Sequence, residues 1–120
     1  MRSIHVSVRL SQPLYRRVSF ESVFSIDGIT MNCVAPASAL MAAGIKPEGE
    51  TFYQSGRGAN LHCQFGLARI EFMGETTYGR IIFGPENSEL LLGVSAMQSV
   101  GIIVDPKTRT LQRLPAIPLK

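Results

Sequence analysis

A chain of 120 residues, 45% apolar and 18% charged, is long enough for one compact domain with one core and too apolar to stay disordered. Its net charge of +3 is scattered, with only Arg16 and Arg17 adjacent and no aromatic ladder beside them, which excludes a nucleic-acid-binding footprint. No apolar run reaches the length of a membrane helix, and the opening MRSIHVSVRL alternates instead of forming the apolar centre of a secretion signal, so no membrane partner and a cytoplasmic location are expected.

Strand patterns dominate. HVSVRL alternates at period two and is followed by the connection SQPLYRR, in which Pro13 stops the strand. VSFESVFSI is a second strand, with Val18, Phe20, Ser22, Phe24 and Ile26 sharing a face. MNCVAP is a short apolar strand ending at Pro36. PASALMAAGI predicts a helix, with Pro36 suited to its first turn and Gly44 to its stop. From Glu50 to Gly84 the pattern predicts three or more strands, broken at Ser55–Asn60 and at Gly74-Glu75. The first break holds two glycines, as a mobile hairpin tip does. LLLGVSAMQSVGI is an apolar run interrupted by Gly93, then a short helix ending at Gly101. IIVDPKTRTLQRL predicts a hairpin, with Asp105-Pro106 at the first two positions of a type I turn. The prolines of PAIPLK extend the tail. The predicted fold is all-β with two short helices in a single domain over 1–120. Phe52, Phe65, Phe72 and Phe83 are expected in the core, with Met31, Met41, Met73 and Met97 filling gaps and His62 on a strand surface.

Chemistry-bearing residues are few. Cys33 and Cys63 are too few for a disulfide framework, and free buried thiols are expected. His62 and Cys63, adjacent on a strand, point to opposite faces and cannot reach one metal. No metal and no cofactor is expected. The chain has two aspartates, and Asp105 already has a turn to make. That leaves Asp27, in FSIDGIT, as the one acid at the end of an apolar run. It either opens an Asp-Gly turn or does chemistry.

Four stretches in order carry a family resemblance: IDGITMNCVAP before a helix ending in Gly-Ile, the glycine-bearing QSGRGAN, the apolar Leu91-Leu92-Gly93 before the helix VSAMQSVG, and the turn Val104–Pro106. Together they resemble the retropepsin-like aspartic proteases, in particular the small bacterial members of clan AA, over residues 4 to 112. The resemblance implies a closed, barrel-like acid-protease half with one or two short helices, paired as a symmetric homodimer. It implies Asp27 as the catalytic residue, one from each copy, with Gly28, Ile29 and Thr30 as the active-site loop. Ser55, Gly56, Arg57 and Gly58 stand where the flap closes over a peptide or protein substrate.

The family motif reads apolar-Asp-Thr/Ser-Gly, whereas this chain has Ile26-Asp27-Gly28-Ile29. In one register Gly28 stands for the Thr and Ile29 for the Gly. In the other the Thr is dropped and Gly28 is the family glycine. Three readings follow: an aspartic endopeptidase, a pseudo-protease that binds peptide or a partner protein in the same cleft without cutting it, and a plain β-barrel interaction module.

Overall fold

Cross-strand matching of apolar residues starts the sheet. β1 (Ile4–Ser11) and β2 (Phe20–Ile26) run antiparallel from Ile4 opposite Ile26 to Leu10 opposite Phe20, so Val6 faces Phe24 across the same surface. Val8, Leu10, Phe24 and Ile26 are buried, and Phe20 meets Phe24 edge to face at 6.4 Å. These positions come from a computed structural model, which describes residues 4–54 and 60–114. The expected flap residues Ser55, Gly56, Arg57 and Gly58 lie outside the described residues.

The remaining strands are β3 (Cys33–Pro36), β4 (Gly49–Gln54), β5 (Asn60–Phe72), β6 (Glu75–Gly84), β7 (Ile102–Asp105) and β8 (Thr110–Arg113). β5 is 13 residues long and organises the sheet. One edge pairs with β6; the opposite edge pairs with β4 along its first half and with β1 near its end. β3 lies parallel to β6, giving the order β2-β1-β5-β6-β3, while β7 and β8 form a separate hairpin.

The protein is mostly β, as expected, but the sheet is not closed into a barrel: its ladder ends at β2 and at β3. What lies between those ends is the extended segment Leu90–Leu92. The Ser25 amide donates to the Leu90 carbonyl (2.8 Å) and the Leu92 amide to the Ser25 carbonyl (3.0 Å). Leu91 and Val34 exchange both of their bonds, at 2.9 and 3.0 Å. The contact is one residue deep on each side, a pair of isolated bridges and no ladder. The chain then turns away at Gly93 into α2 (Val94–Ser99).

The main core gathers Leu10, Phe24, Leu40, Ile70, Ile81, Leu92, Met97 and Ile102. A smaller cluster of Val34, Ile82 and Leu91, with Phe65 and Cys63 against it, lies apart. α1 (Ala37–Ala42) has no cap of its own, and Glu86, from the loop after β6, accepts hydrogen bonds from the Ser38 amide and hydroxyl instead. Both helices stop before the expected glycines, Gly44 and Gly101. Among the described residues no helix is long and apolar enough to cross a membrane.

Several side chains depart from expectation. Val18 lies in the loop before β2 and is exposed, so it is no part of that strand's inner face. Phe52 is 75% exposed, since β4 covers only an edge of β5; its ring meets that of His62 at 5.3 Å. Met31 and Met41 are also exposed, while Met97 is buried, as are Phe72 and Phe83. His62 is on the surface, as expected, with its Nε2 2.7 Å from Glu50. Cys33 is buried and Cys63 only half-buried; neither is bonded to another cysteine.

Gly93 tests the threading of Leu90–Leu92. A Cβ there would stand 2.4 Å from the Met31 carbonyl oxygen and 2.5 Å from the Asn32 carbonyl carbon, both backbone atoms. Gly93→Ala is expected to cost about 3 kcal/mol, the upper range of an overpacked site. Gly79→Ala, where a Cβ meets nothing within 4 Å, is expected to change stability by less than about 1 kcal/mol. Urea unfolding of the two variants makes the comparison, and equal midpoints would refute it.

Candidate functional site

β2 ends because Ile26 is the last residue the core buries; Asp27, next in the chain, is exposed. Its carboxylate folds back on its own loop. Oδ1 accepts the amides of Ile29 and Thr30, both at 2.8 Å, and Oδ2 accepts the Thr30 hydroxyl. This is the local side-chain-to-backbone bonding that Asp supports in turns. Partial burial pushes the carboxyl's pKa up, but the Thr30 hydroxyl and the Thr30 and Ile29 amides outweigh that, and the group titrates below its ordinary range. Asp27 is therefore an anion at neutral pH.

The loop is held at both ends. Ser25 is bonded on both its backbone groups by Leu90 and Leu92. Past the loop, the Thr30 and Met31 carbonyls accept the first amides of α2, from Val94 (2.8 Å) and Ser95 (3.1 Å), which satisfies donors that α2 has no side chain to cap. The Gly93 amide donates to the Cys33 sulfur, and burial raises that thiol's pKa to about 11, which makes it a packing residue and no nucleophile. Gly28 takes the left-handed region at φ +76, and Ile29 does not. Ile29 is left 81% exposed at the loop tip.

Asp27, Gly28 and Ile29 line a groove of about 480 Å³. Ile4, Ile26, Leu91, Val104 and Pro106 give it apolar walls, and Glu89 and Arg109 bring its other charges. The groove thus joins the end of β2, the start of β1, the segment before α2 and the β7–β8 turn. Thr30 does not line it and acts on it through Asp27. The expected site residues Asp27, Gly28, Ile29 and Thr30 are brought together, whereas Ser55–Gly58 lie outside the described residues. Ile4, Glu89 and Arg109 have no local signal in the sequence, because each arrives from a distant segment. Asp105 has the turn role expected of it: Oδ1 accepts the Lys107 and Thr108 amides, and Arg109, at φ 55, closes the turn on the Asp105 carbonyl.

Chemically, the groove offers two carboxyl groups, Asp27 and Glu89, and the Arg109 guanidinium among apolar walls. That suits proton transfer or recognition of a polar group on an otherwise apolar ligand. Among the described residues no three His, Cys, Asp or Glu side chains are grouped to hold a metal.

Two substitutions check this geometry. Thr30→Val keeps the shape and removes the hydroxyl donor, so the Asp27 carboxyl is expected to titrate at a higher pH in an NMR titration; an unchanged titration would refute the hydrogen bond's role. The sign carries through to stability. Because folding lowers the Asp27 pKa, its contribution is present above the ordinary value of 3.8 and is lost as pH falls through the folded value. Thr30→Val should therefore shrink the acid-dependent part of the unfolding free energy. At Gly28 a Cβ would meet only Val104, at 3.9 Å, so space is not limiting. The positive φ is limiting, and Gly28→Thr is expected to cost about 1–2 kcal/mol, whereas Gly28→Asn costs less. Equal unfolding midpoints for the two would contradict the backbone geometry.

Comparison of the chain with protein-family models, with curated proteins and with solved structures finds no match.

Proposed function

We propose that the chain is one half of a retropepsin-like aspartic endopeptidase that works as a symmetric homodimer. One observation carries this reading: Asp27 stands exposed beside an apolar groove, on a loop that its carboxylate helps to shape and that is fixed at both ends. Two further features support it. The segment Leu90–Leu92 passes between the end of β2 and β3, directly behind that loop. Gly28 adopts the positive φ, which favours the register in which it takes the place of the family glycine.

Two copies meeting at this loop bring two Asp27 carboxyls together. Like charges so close cannot both ionise, so the pair keeps one proton and titrates as a unit. The ionised carboxyl takes a proton from water as the water oxygen bonds to the peptide carbonyl carbon. The protonated carboxyl gives its proton to the carbonyl oxygen. The resulting diol returns a proton to the second carboxyl as the C–N bond breaks, and the first carboxyl protonates the leaving amine. The products are an acid and an amine, and the pair again holds one proton.

A second reading is favoured by one specific feature. Thr30 spends its hydroxyl on the carboxylate of its own loop, and among the described residues the hydrogen bonds that the Asp27 carboxylate makes are local. A groove so arranged binds peptide without cutting it. Sedimentation and cleavage of a mixed fluorogenic peptide set between pH 3.5 and 6 separate the readings. The peptidase predicts a dimer at tens of micromolar and acid-pH cleavage that Asp27→Asn lowers by at least about a hundredfold, with the dimer intact. Peptide bound equally by both proteins and cut by neither leaves the pseudo-protease. A monomer at that concentration sinks both.

A further inference from the structure

A second recess lies away from the Asp27 groove and shares no lining residue with it. It has a volume of about 400 Å³ and runs between the loop joining β1 to β2, the turn after α1, and Leu67 on β5. Its apolar lining is unusually open to solvent: Leu14 is 82% exposed, Tyr15 72%, Val18 51% and Leu67 49%. The loop is not slack, because the Gln12 side-chain oxygen accepts the amides of both Leu14 and Tyr15 and so fixes the turn that presents them.

One cation lines this recess and two more stand next to its lining residues in the chain. Lys46 lines it. Arg16 and Arg17, both exposed, sit between the lining residues Tyr15 and Val18. Glu48 is the one carboxylate in the lining.

We propose that this recess docks an acidic peptide segment of a partner protein through one apolar anchor side chain. The anchor fills the space between Leu14, Val18 and Leu67. Carboxylates on either side of it meet Arg16, Arg17 and Lys46. Glu48 accepts a backbone N–H of the bound segment. The concavity favours a peptide over an anionic lipid surface: a flat bilayer leaves the recess empty and sets Glu48 against lipid phosphates, whereas one projecting side chain fills it. The inference goes beyond the peptidase reading and does not depend on it.

The test is fluorescence anisotropy with a labelled peptide carrying a central Phe flanked by two Glu on each side. Saturable binding is expected, weakening as salt is raised from 50 to 200 mM. Replacing the Phe by Ala, or all Glu by Gln, is expected to raise Kd about tenfold, the order of one lost anchor or of two lost charge contacts. Arg16→Glu with Arg17→Glu should do the same, and so should Leu14→Ser with Leu67→Ser. All four positions are exposed, and unchanged thermal midpoints confirm that the variants fold. Absence of saturable binding overturns the proposal. So does equal binding of the Gln peptide, or binding undiminished in either double variant. Capture by phosphatidylserine vesicles without peptide binding reassigns the surface to lipid and overturns it equally.

Discussion

The backbone of Leu90–Leu92 is the constraint on which the rest depends. Two strand ends, at Ser25 and at Val34, would otherwise leave buried amides and carbonyls without partners, a cost the fold has to avoid. Three residues satisfy both, since Leu90 and Leu92 bond to Ser25 while Leu91 exchanges two bonds with Val34. The side chains divide in the same way, Leu92 into the main core and Leu91 into the small cluster with Val34 and Ile82. Gly93 then passes so close under Met31–Cys33 that no side chain fits. Asp27 lies two residues beyond Ser25, and its position follows from that threading.

The same economy governs α2. Its first amides donate to the carbonyls of Thr30 and Met31, so helix and loop cap one another. The loop's geometry in turn aims the Ile29 and Thr30 amides at the Asp27 carboxylate. The electrostatics of the site are thus built from backbone already fixed for other reasons. Only the Thr30 hydroxyl is an added element. Such a carboxylate is well held as an anion, and what can return a proton to it is a second like charge. At about 4 Å and an effective dielectric near 20 that repulsion is about 4 kcal/mol, on the order of three pKa units. Whether the groove does acid–base chemistry or only binds therefore turns on how closely two Asp27 side chains approach.

Much of this was legible in the sequence, for identifiable reasons. Period-two runs located β1 and β2, Gly and Pro marked the ends of α1 and α2, and Asp105-Pro106 marked its turn. Asp27 stood out because the only other aspartate was already committed to that turn. Periodicity failed where an apolar residue lacks a covering layer. Phe52 sits on β4, which among the described residues pairs only with β5; Met31 sits on a loop whose backbone passes against Gly93. The open sheet was not legible either: the resemblance implied a closed barrel, whereas alternation reports faces and not edges, and the gap between β2 and β3 is spanned only by isolated bridges from a segment far along the chain. Ile4, Glu89 and Arg109 reach the groove through that same long-range topology.

The apolar surface around Asp27 has an energetic meaning. Ile29, 81% exposed, lines the groove beside Asp27, so an uncovered hydrophobic side chain stands next to the carboxylate. For a chain acting alone that surface is a small liability. In the homodimer proposed above, two Ile29 side chains would leave water where the loops meet, each worth about 1.5–3 kcal/mol on full burial. Partial burial of the pair would still offset part of the cost of bringing two carboxylates together. In that proposed dimer Ile29 would have a role that the glycine of the retropepsin-like motif cannot fill. It would provide apolar contact where the hydroxyl expected beside the aspartate is missing, because Gly28 has no side chain and Thr30 gives its hydroxyl to its own loop. Under the proposed reading, the departure from the motif would trade a polar lock between subunits for a hydrophobic one, and leave the charge on Asp27 to be balanced by its own loop.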